Sequence, residues 1–164
     1  MNKIDKFKII SADSSHLELL VPLFDAYRVF YEQPSDLSKA SDFLTARLKH
    51  HDSMIFLATD QSESLGYGFT QLYPSFTSVG AAKIIILNDL FVNPEHRRLN
   101  IACELMNAAK DYALKNTYLR IILQTTASNK GAQKLYESQG YKKSEDNFLS
   151  YSLELKNDEH ETHL

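Results

Sequence analysis

The chain has 164 residues, 43% hydrophobic and 24% charged, with a formal net charge of -3 at pH 7. This is the balance of a soluble globular domain, and it lacks the basic excess of a nucleic-acid binder. Cys103 is the lone cysteine, so no intramolecular disulfide can form and a reducing compartment is expected. No apolar run approaches the ~20 residues that span a bilayer. Met1 to Ile10 alternates lysine with apolar residues and has no signal-peptide core. Cytoplasm is the expected location.

In chain order, Phe7 to Ile10 reads as a short strand. Ser15 and Glu18 match a capping box at the start of a helix. Leu19, Leu20, Leu23, Phe24, Tyr27, Phe30 and Tyr31 follow at helical spacing. Pro22 either kinks that helix or marks its first turn. Pro34 breaks the pattern, and a second helix is expected over about 37–50 with Phe43, Leu44 and Leu48 on one face. Met54 to Ala58 and Leu65 to Tyr73 then read as a hairpin around the polar stretch 60–64, with Pro74 ending the second strand. Lys83 to Val92 is a longer strand, stopped by Asn93-Pro94. Leu99 to Leu114 is helical and Tyr118 to Thr125 a strand. Asn129 to Gln139 is a helix with Gly140 as its C-terminal cap. Phe148 to Leu155 is a last strand, and the polar residues after it are expected to fray. The order predicts one mixed α/β domain over 1–156, followed by a polar tail at 157–164.

The chemistry concentrates between Leu87 and Ala102, where a strand ends, a loop carries Arg97 and Arg98, and a helix begins. A helix N-terminus presents unpaired N–H groups and a positive dipole end, which suits a pyrophosphate. A solvated basic turn would leave the same trace. A P-loop is excluded, because no G-x-x-x-x-G-K-[ST] occurs. Gly66-Tyr67-Gly68 lies within a strand and lacks the third glycine of a dinucleotide fingerprint. His50 and His51 are adjacent and cannot both face one ion from a helix, so no metal site is expected. Cys103 begins a helix without a base partner and reads as a packing residue.

Arg97, Asn100 and Ala102 resemble the acetyl-CoA loop of the GNAT superfamily of N-acetyltransferases, whose pattern is Arg or Gln, two residues, Gly, one residue, then Gly or Ala. The departure is Asn100, and asparagine is the non-glycine residue most tolerant of left-handed angles. Downstream, Asn129, Ala132, Leu135, Tyr136, Gly140 and Tyr141 match the family pattern N-x-x-A-x-x-L-Y-x-x-x-G-[FY] at every fixed position. The stretches 23–31, 71–76 and 87–92 resemble the Hpa2-like and diamine-acetyltransferase-like group. The resemblance implies a mostly antiparallel central sheet with splayed middle strands and about four flanking helices. It also implies acetyl-CoA as co-substrate, a primary amine acceptor (polyamine, aminoglycoside or protein lysine), direct attack in a ternary complex, and a homodimer.

The same resemblance implies roles for single residues. Tyr136 matches the tyrosine that protonates the departing thiolate, although a half-buried packing tyrosine would look the same. Asp89 is the expected base, acting through water; the alternatives are an anchor for the substrate ammonium or a structural partner of an arginine. Asn88 stands where close relatives can carry glutamate, and an amide cannot accept a proton. Leu90, Phe91 and Val92 should offer backbone groups to the pantetheine arm. Arg97, Arg98, Leu99, Asn100, Ile101, Ala102 and Cys103 should hold the pyrophosphate. Asn129 should contact the CoA arm, a role compatible with capping its helix, and Ala132 lies in the same motif. Tyr27, Tyr31, Glu32, Tyr73 and Phe76 are candidates for the acceptor pocket, since aromatic faces and a carboxylate suit a cationic amine. For Phe24, Tyr27 and Phe30, packing of the first helix into the core is the preferred reading. With Asn88 and Asn100 at these places, a catalytically silent acyl-CoA-binding or sensing module is the alternative function.

Overall fold

A computed structural model describes residues 7–144 and 150–155. Its elements are β1 (Lys8–Ser11), α1 (Leu17–Phe30), α2 (Leu37–His50), β2 (Met54–Thr59), β3 (Gly66–Thr77), β4 (Ala82–Val92), α3 (Ile101–Lys115), β5 (Ile121–Ile122) and α4 (Lys130–Ser138). The five strands form one sheet in the order β1-β2-β3-β4-β5. The first three pairings are antiparallel and β4–β5 is parallel. This is the mixed, mostly antiparallel sheet expected from the sequence. No helix among the described residues is long and apolar enough to cross a membrane.

Two apolar layers cover the sheet. On one face, Leu20, Leu23 and Phe24 of α1 and Ala40 and Leu44 of α2 pack on Ile55, Leu57, Phe69 and Phe91. On the other, Met106, Ala109 and Ala113 of α3 pack on Leu72, Ile85 and Leu87, with Leu135 and Tyr136 of α4 against them. Leu20, Leu44, Leu57 and Phe69 are completely buried, each worth about 1.5–3 kcal/mol of transfer free energy.

Local chemistry corrects several expectations. The capping box lies two residues earlier than Ser15 and Glu18. Asp13 accepts from Ser15 N at 2.9 Å while His16 Nδ1 accepts from Asp13 N at 3.0 Å. Asp13 caps a short 3-10 turn at Ser14–His16, which leads directly into α1. Pro22 is therefore inside α1 and does not mark its first turn. Pro74 does not end β3. The β2 partners stop at Leu72, while Pro74 still pairs with Ile85 of β4. There β3 is an edge on its β2 side, where a missing donor breaks no ladder bond.

The strand expected over Tyr118 to Thr125 shrinks to Ile121–Ile122. Among the described residues it has a partner on one side only, and that partner leaves it after two residue pairs. Of the expected last strand, Phe148 and Leu149 lie outside the described residues, as does the polar tail. Ser150 to Leu155 is not a strand. Tyr151, Leu153 and Leu155 are 88%, 84% and 79% exposed, and no strand pairs with them among the described residues.

Candidate active site

The site starts from an irregularity in β4. Strict alternation would put Leu87, Asp89 and Phe91 on one face of the sheet. Instead Leu87 packs toward α3 and Phe91 toward α1. The register explains the change: Gln71 lies opposite Asp89, but the next residue of β3, Leu72, lies opposite Leu87. Asn88 is the extra residue of a β-bulge, and it reverses the facing of everything after it. Asp89 thereby joins Phe91 on the α1 side.

Asp89 is only 5% exposed. Asn88 Nδ2 donates to both of its oxygens at 3.1 and 3.2 Å, and Tyr27 of α1 stands beside it on the same face. Burial raises the Asp89 pKa above the ordinary carboxylate value, and the nearby Tyr27 hydroxyl and Asn88 amide oppose that rise. Burial and the Asp89 carboxylate together push the Tyr27 phenol well upward, so it stays protonated. The Tyr27 ring is wedged edge-on against Phe69 at 5.9 Å, Phe91 at 6.2 Å and Tyr31 at 5.0 Å.

Beyond Ile86, β4 continues to Val92 without β5 beside it. A cleft of about 710 Å³ opens where the two strands part. Leu90, Phe91 and Val92 form one wall, and Asn129, Ala132 and Tyr136 the opposite one. Gly68 lets β3 lie close behind the first wall: a Cβ there would come within 2.5 Å of the Phe91 carbonyl oxygen. The floor is the start of α3. Arg98 and Asn100 both take left-handed angles, with φ of 64° and 66°. Asn100 thus adopts the conformation for which glycine is normal in the motif. Its side chain makes no cap hydrogen bond and instead donates to Glu104 Oε1 at 3.1 Å. The first-turn N–H groups at Ile101, Ala102 and Cys103 therefore have no side-chain acceptor, and all three residues line the cleft. A diphosphate fits this end, because it supplies the missing acceptors. Arg97 is turned inward, donating from Nε to Val92 O at 3.1 Å, with its guanidinium 6.0 Å from the Phe30 ring centroid.

Tyr136 is held by the end of α4. Gly140 takes φ of 85°, Gly140 N donates to Glu137 O and Tyr141 N donates to Tyr136 O, both at 3.0 Å. This is a Schellman ending, with the expected glycine in place. The Tyr136 phenol is half-buried, and burial, then Tyr31, raises its pKa. Asn129 caps α4, its Oδ1 accepting from Ala132 N at 3.2 Å.

Of the residues singled out in the sequence, Tyr27, Tyr31, Leu90, Phe91, Val92, Arg97, Arg98, Asn100, Ile101, Ala102, Cys103, Asn129, Ala132 and Tyr136 come together around the cleft. Leu99 and Glu32 do not line it. Asp89 is not in its wall either, although Tyr27 beside it is. Tyr73 shares the Asp89 face, and burial and the Asp89 charge push its pKa to about 12. Phe76 falls on the opposite face of β3 by alternation and is 75% exposed, so it is no part of this pocket. Sequence reasoning missed Leu135, Gly131 and His96, which also line the cleft. Leu135 is a fixed position of the second motif, and that was its available signal. His96 stacks on Tyr67 at 4.5 Å and carries no sequence signal of its own.

Comparison with known proteins places this geometry in a family. The family model described as Acetyltransferase (GNAT) family matches residues 20–141. An uncharacterized N-acetyltransferase, YhfO of Bacillus subtilis (strain 168), is 45% identical over 147 residues, which is 90% of this chain and 97% of that protein. A crystal structure of a probable acetyltransferase superposes with a TM-score of 0.83 at 39% identity, covering 92% of this chain and 99% of the other. AAC(6')-Iy in complex with a bisubstrate analogue, CoA-S-monomethyl-acetylneamine, shares the fold, with a TM-score of 0.74 at 17% identity over 91% of this chain and 99% of that one. With a parted sheet, a glycine-like Asn100 and a complete second motif now joined to a match over most of the chain, the protein belongs to the GNAT family of acetyltransferases.

Proposed function

We propose that this acetyltransferase transfers the acetyl group of acetyl-CoA directly to a primary amine, with both substrates bound in the one cleft. The observation that carries this reading is the arrangement of the cleft. Unpaired N–H groups at the start of α3 lie at one end, and the phenols of Tyr27, Tyr31 and Tyr136 line the same space. Bound acetyl-CoA supplies the thioester. The first turn of α3 and Arg98 take its diphosphate, and the free edge of β4 at Leu90 to Val92 runs beside the pantetheine arm.

The remaining work is moving protons. An alkylamine with a pKa near ~10.4 is neutral in only about one molecule in ~10³ at pH 7. Asp89, its pKa raised by burial, serves as the proton acceptor. Tyr136, kept protonated by its raised pKa, gives a proton to the departing thiolate. Polyamines, aminoglycosides and protein lysines are the acceptor classes, in that order. The aminoglycoside portion of the analogue bound by AAC(6')-Iy supports the second of these, through fold likeness only. A homodimer in the cytoplasm completes the reading, and light scattering tests its oligomeric part.

The test is CoA release from acetyl-CoA across spermidine, an aminoglycoside and a lysine peptide, with wild type and Tyr136→Phe side by side. Turnover that falls about tenfold or more in the variant supports the reading, in the range of a lost general acid. Turnover unchanged by Tyr136→Phe removes Tyr136 from the chemistry. Tight CoA binding without turnover on any amine overturns the transferase reading.

A further inference from the structure

The bulge in β4 turns Asp89 toward the α1 layer, and hydrogen bonds at both ends of that residue hold it there. Thr70 of β3 is completely buried, and its Oγ1 donates to the Asp89 backbone carbonyl at 2.8 Å. Asn88, the surplus residue, is exposed, and its Nδ2 reaches both Asp89 carboxylate oxygens at 3.1 and 3.2 Å. We propose that Thr70 and Asn88 are positioning residues for the transfer reaction, one fixing the backbone of Asp89 and the other the plane of its carboxylate. The inference rests on the proposed role of Asp89 as proton acceptor and names the side chains that prepare it for that role.

Each contact does what packing alone does not. A buried hydroxyl is costly without a partner, and the partner of Thr70 is the carbonyl of the residue next to the bulge. That is where the residue counts of the two strands stop matching: Gln71 lies opposite Asp89, and Leu72 opposite Leu87. Thr70 itself pairs with Leu90, so its hydroxyl reaches the neighbour of its register partner. A slip of one residue would carry Asp89 to the α3 side and put a different carbonyl before Thr70. The hydroxyl therefore ties the register to the site. Asn88 acts at the other end of Asp89. The terminal torsion of an aspartate is broad, and one amide shared by both oxygens narrows it. A carboxylate at position 88 could not donate to Asp89, whereas the amide donates and does not compete for the proton. Asn88 thus has a task in a working enzyme. Precision of this kind matters to the rate, since a displacement of about 1 Å can cost ~10²-fold.

The test compares Thr70→Val, Thr70→Ser and Asn88→Ala with wild type, alone and in an Asp89→Asn background, on whichever amine of the panel turns over fastest. Neither Thr70 nor Asn88 lines the cleft. Thr70→Val and Asn88→Ala are therefore each expected to lower kcat about tenfold or more while KM for acetyl-CoA stays within about twofold. Thr70→Ser, which restores a hydroxyl, should recover most of the loss. In the Asp89→Asn background the same substitutions should cost no further activity, since they act through a residue already disabled; a merely structural loss would add in full. Asn88 is exposed, so Asn88→Ala keeps the fold and carries the test even where Thr70→Val does not fold. Full kcat in either variant beside a crippled Asp89→Asn overturns the inference and leaves Asp89 as a base. Losses that add to that of Asp89→Asn overturn it equally. Full activity in Asp89→Asn overturns the base reading itself, and the positioning roles with it.

Discussion

Asp89 carries a cost that its neighbours only partly offset. A buried carboxylate with a raised pKa binds a proton more tightly in the folded than in the unfolded chain. Folding stability from this residue is therefore greatest at low pH and declines as the pH rises from about 3.9, the unfolded value, through the higher folded one. Asp89→Asn removes the charge and keeps the size of the side chain. The expected outcome is a higher Tm at pH 7 together with lost transferase activity, and a Tm gain that shrinks as melting is repeated toward pH 4. A lower Tm at pH 7 would mean that the hydrogen bonds from Asn88 and the nearby Tyr27 phenol dipole outweigh desolvation. Stability given up for a poised group is common at sites of chemistry.

At the scale of elements, the loop into α3 depends on two left-handed residues, Arg98 and Asn100. Asn100→Gly should keep the loop shape and the CoA affinity within about twofold, with a slight change in stability, since asparagine already tolerates αL. Asn100→Val puts a β-branched residue at φ of 66° and should weaken CoA binding about tenfold or more, read by calorimetric titration. Much at this scale was legible in the sequence. α2 runs over 37–50 as its periodicity predicts, and Asn129 and Gly140 bracket α4 as their chemistry requires. The motif residues on the cleft were legible for the same reason: each occupies a position whose backbone or side chain has one demanding task. What could not be read depends on pairing between distant strands. In the run Ile84 to Val92 nothing marks Asn88 as surplus, because a bulge is defined by the partner strand, and β3 supplies that count only once folded. Pro74 misled for a related reason, since a proline ends a central strand but not one that has become an edge.

For the molecule as a whole, acid should be the weak side. Asp25 ties α1 to the start of α2, accepting from Ser35 Oγ at 2.6 Å and Asp36 N at 2.8 Å. Those two bonds hold its carboxyl below the ordinary range. Asp60 gathers the β2–β3 turn through Ser62, Ser64 and Leu65 and is held at about 2, while Glu63 is lowered by Lys8 and His16. A depressed folded pKa gives stability that is complete above the unfolded value and is lost as the pH falls through the folded one. Urea midpoints should therefore stay level down to about pH 5 and then fall from near 4 toward 2, with Asp25→Asn flattening that fall. An unchanged slope in the variant would remove Asp25 from the account.

The surplus residue at Asn88 also alters how this protein can change over generations. Which layer receives Asp89 is set by whether the number of residues preceding it in β4 is odd or even. Loss of one codon there would turn the carboxylate toward α3 while leaving every functional residue present and the fold's apolar content intact. Silencing through strand length, with all motifs still readable, is thus a route open to this chain, and a complete set of motif residues in a relative does not guarantee that its acid faces the α1 layer.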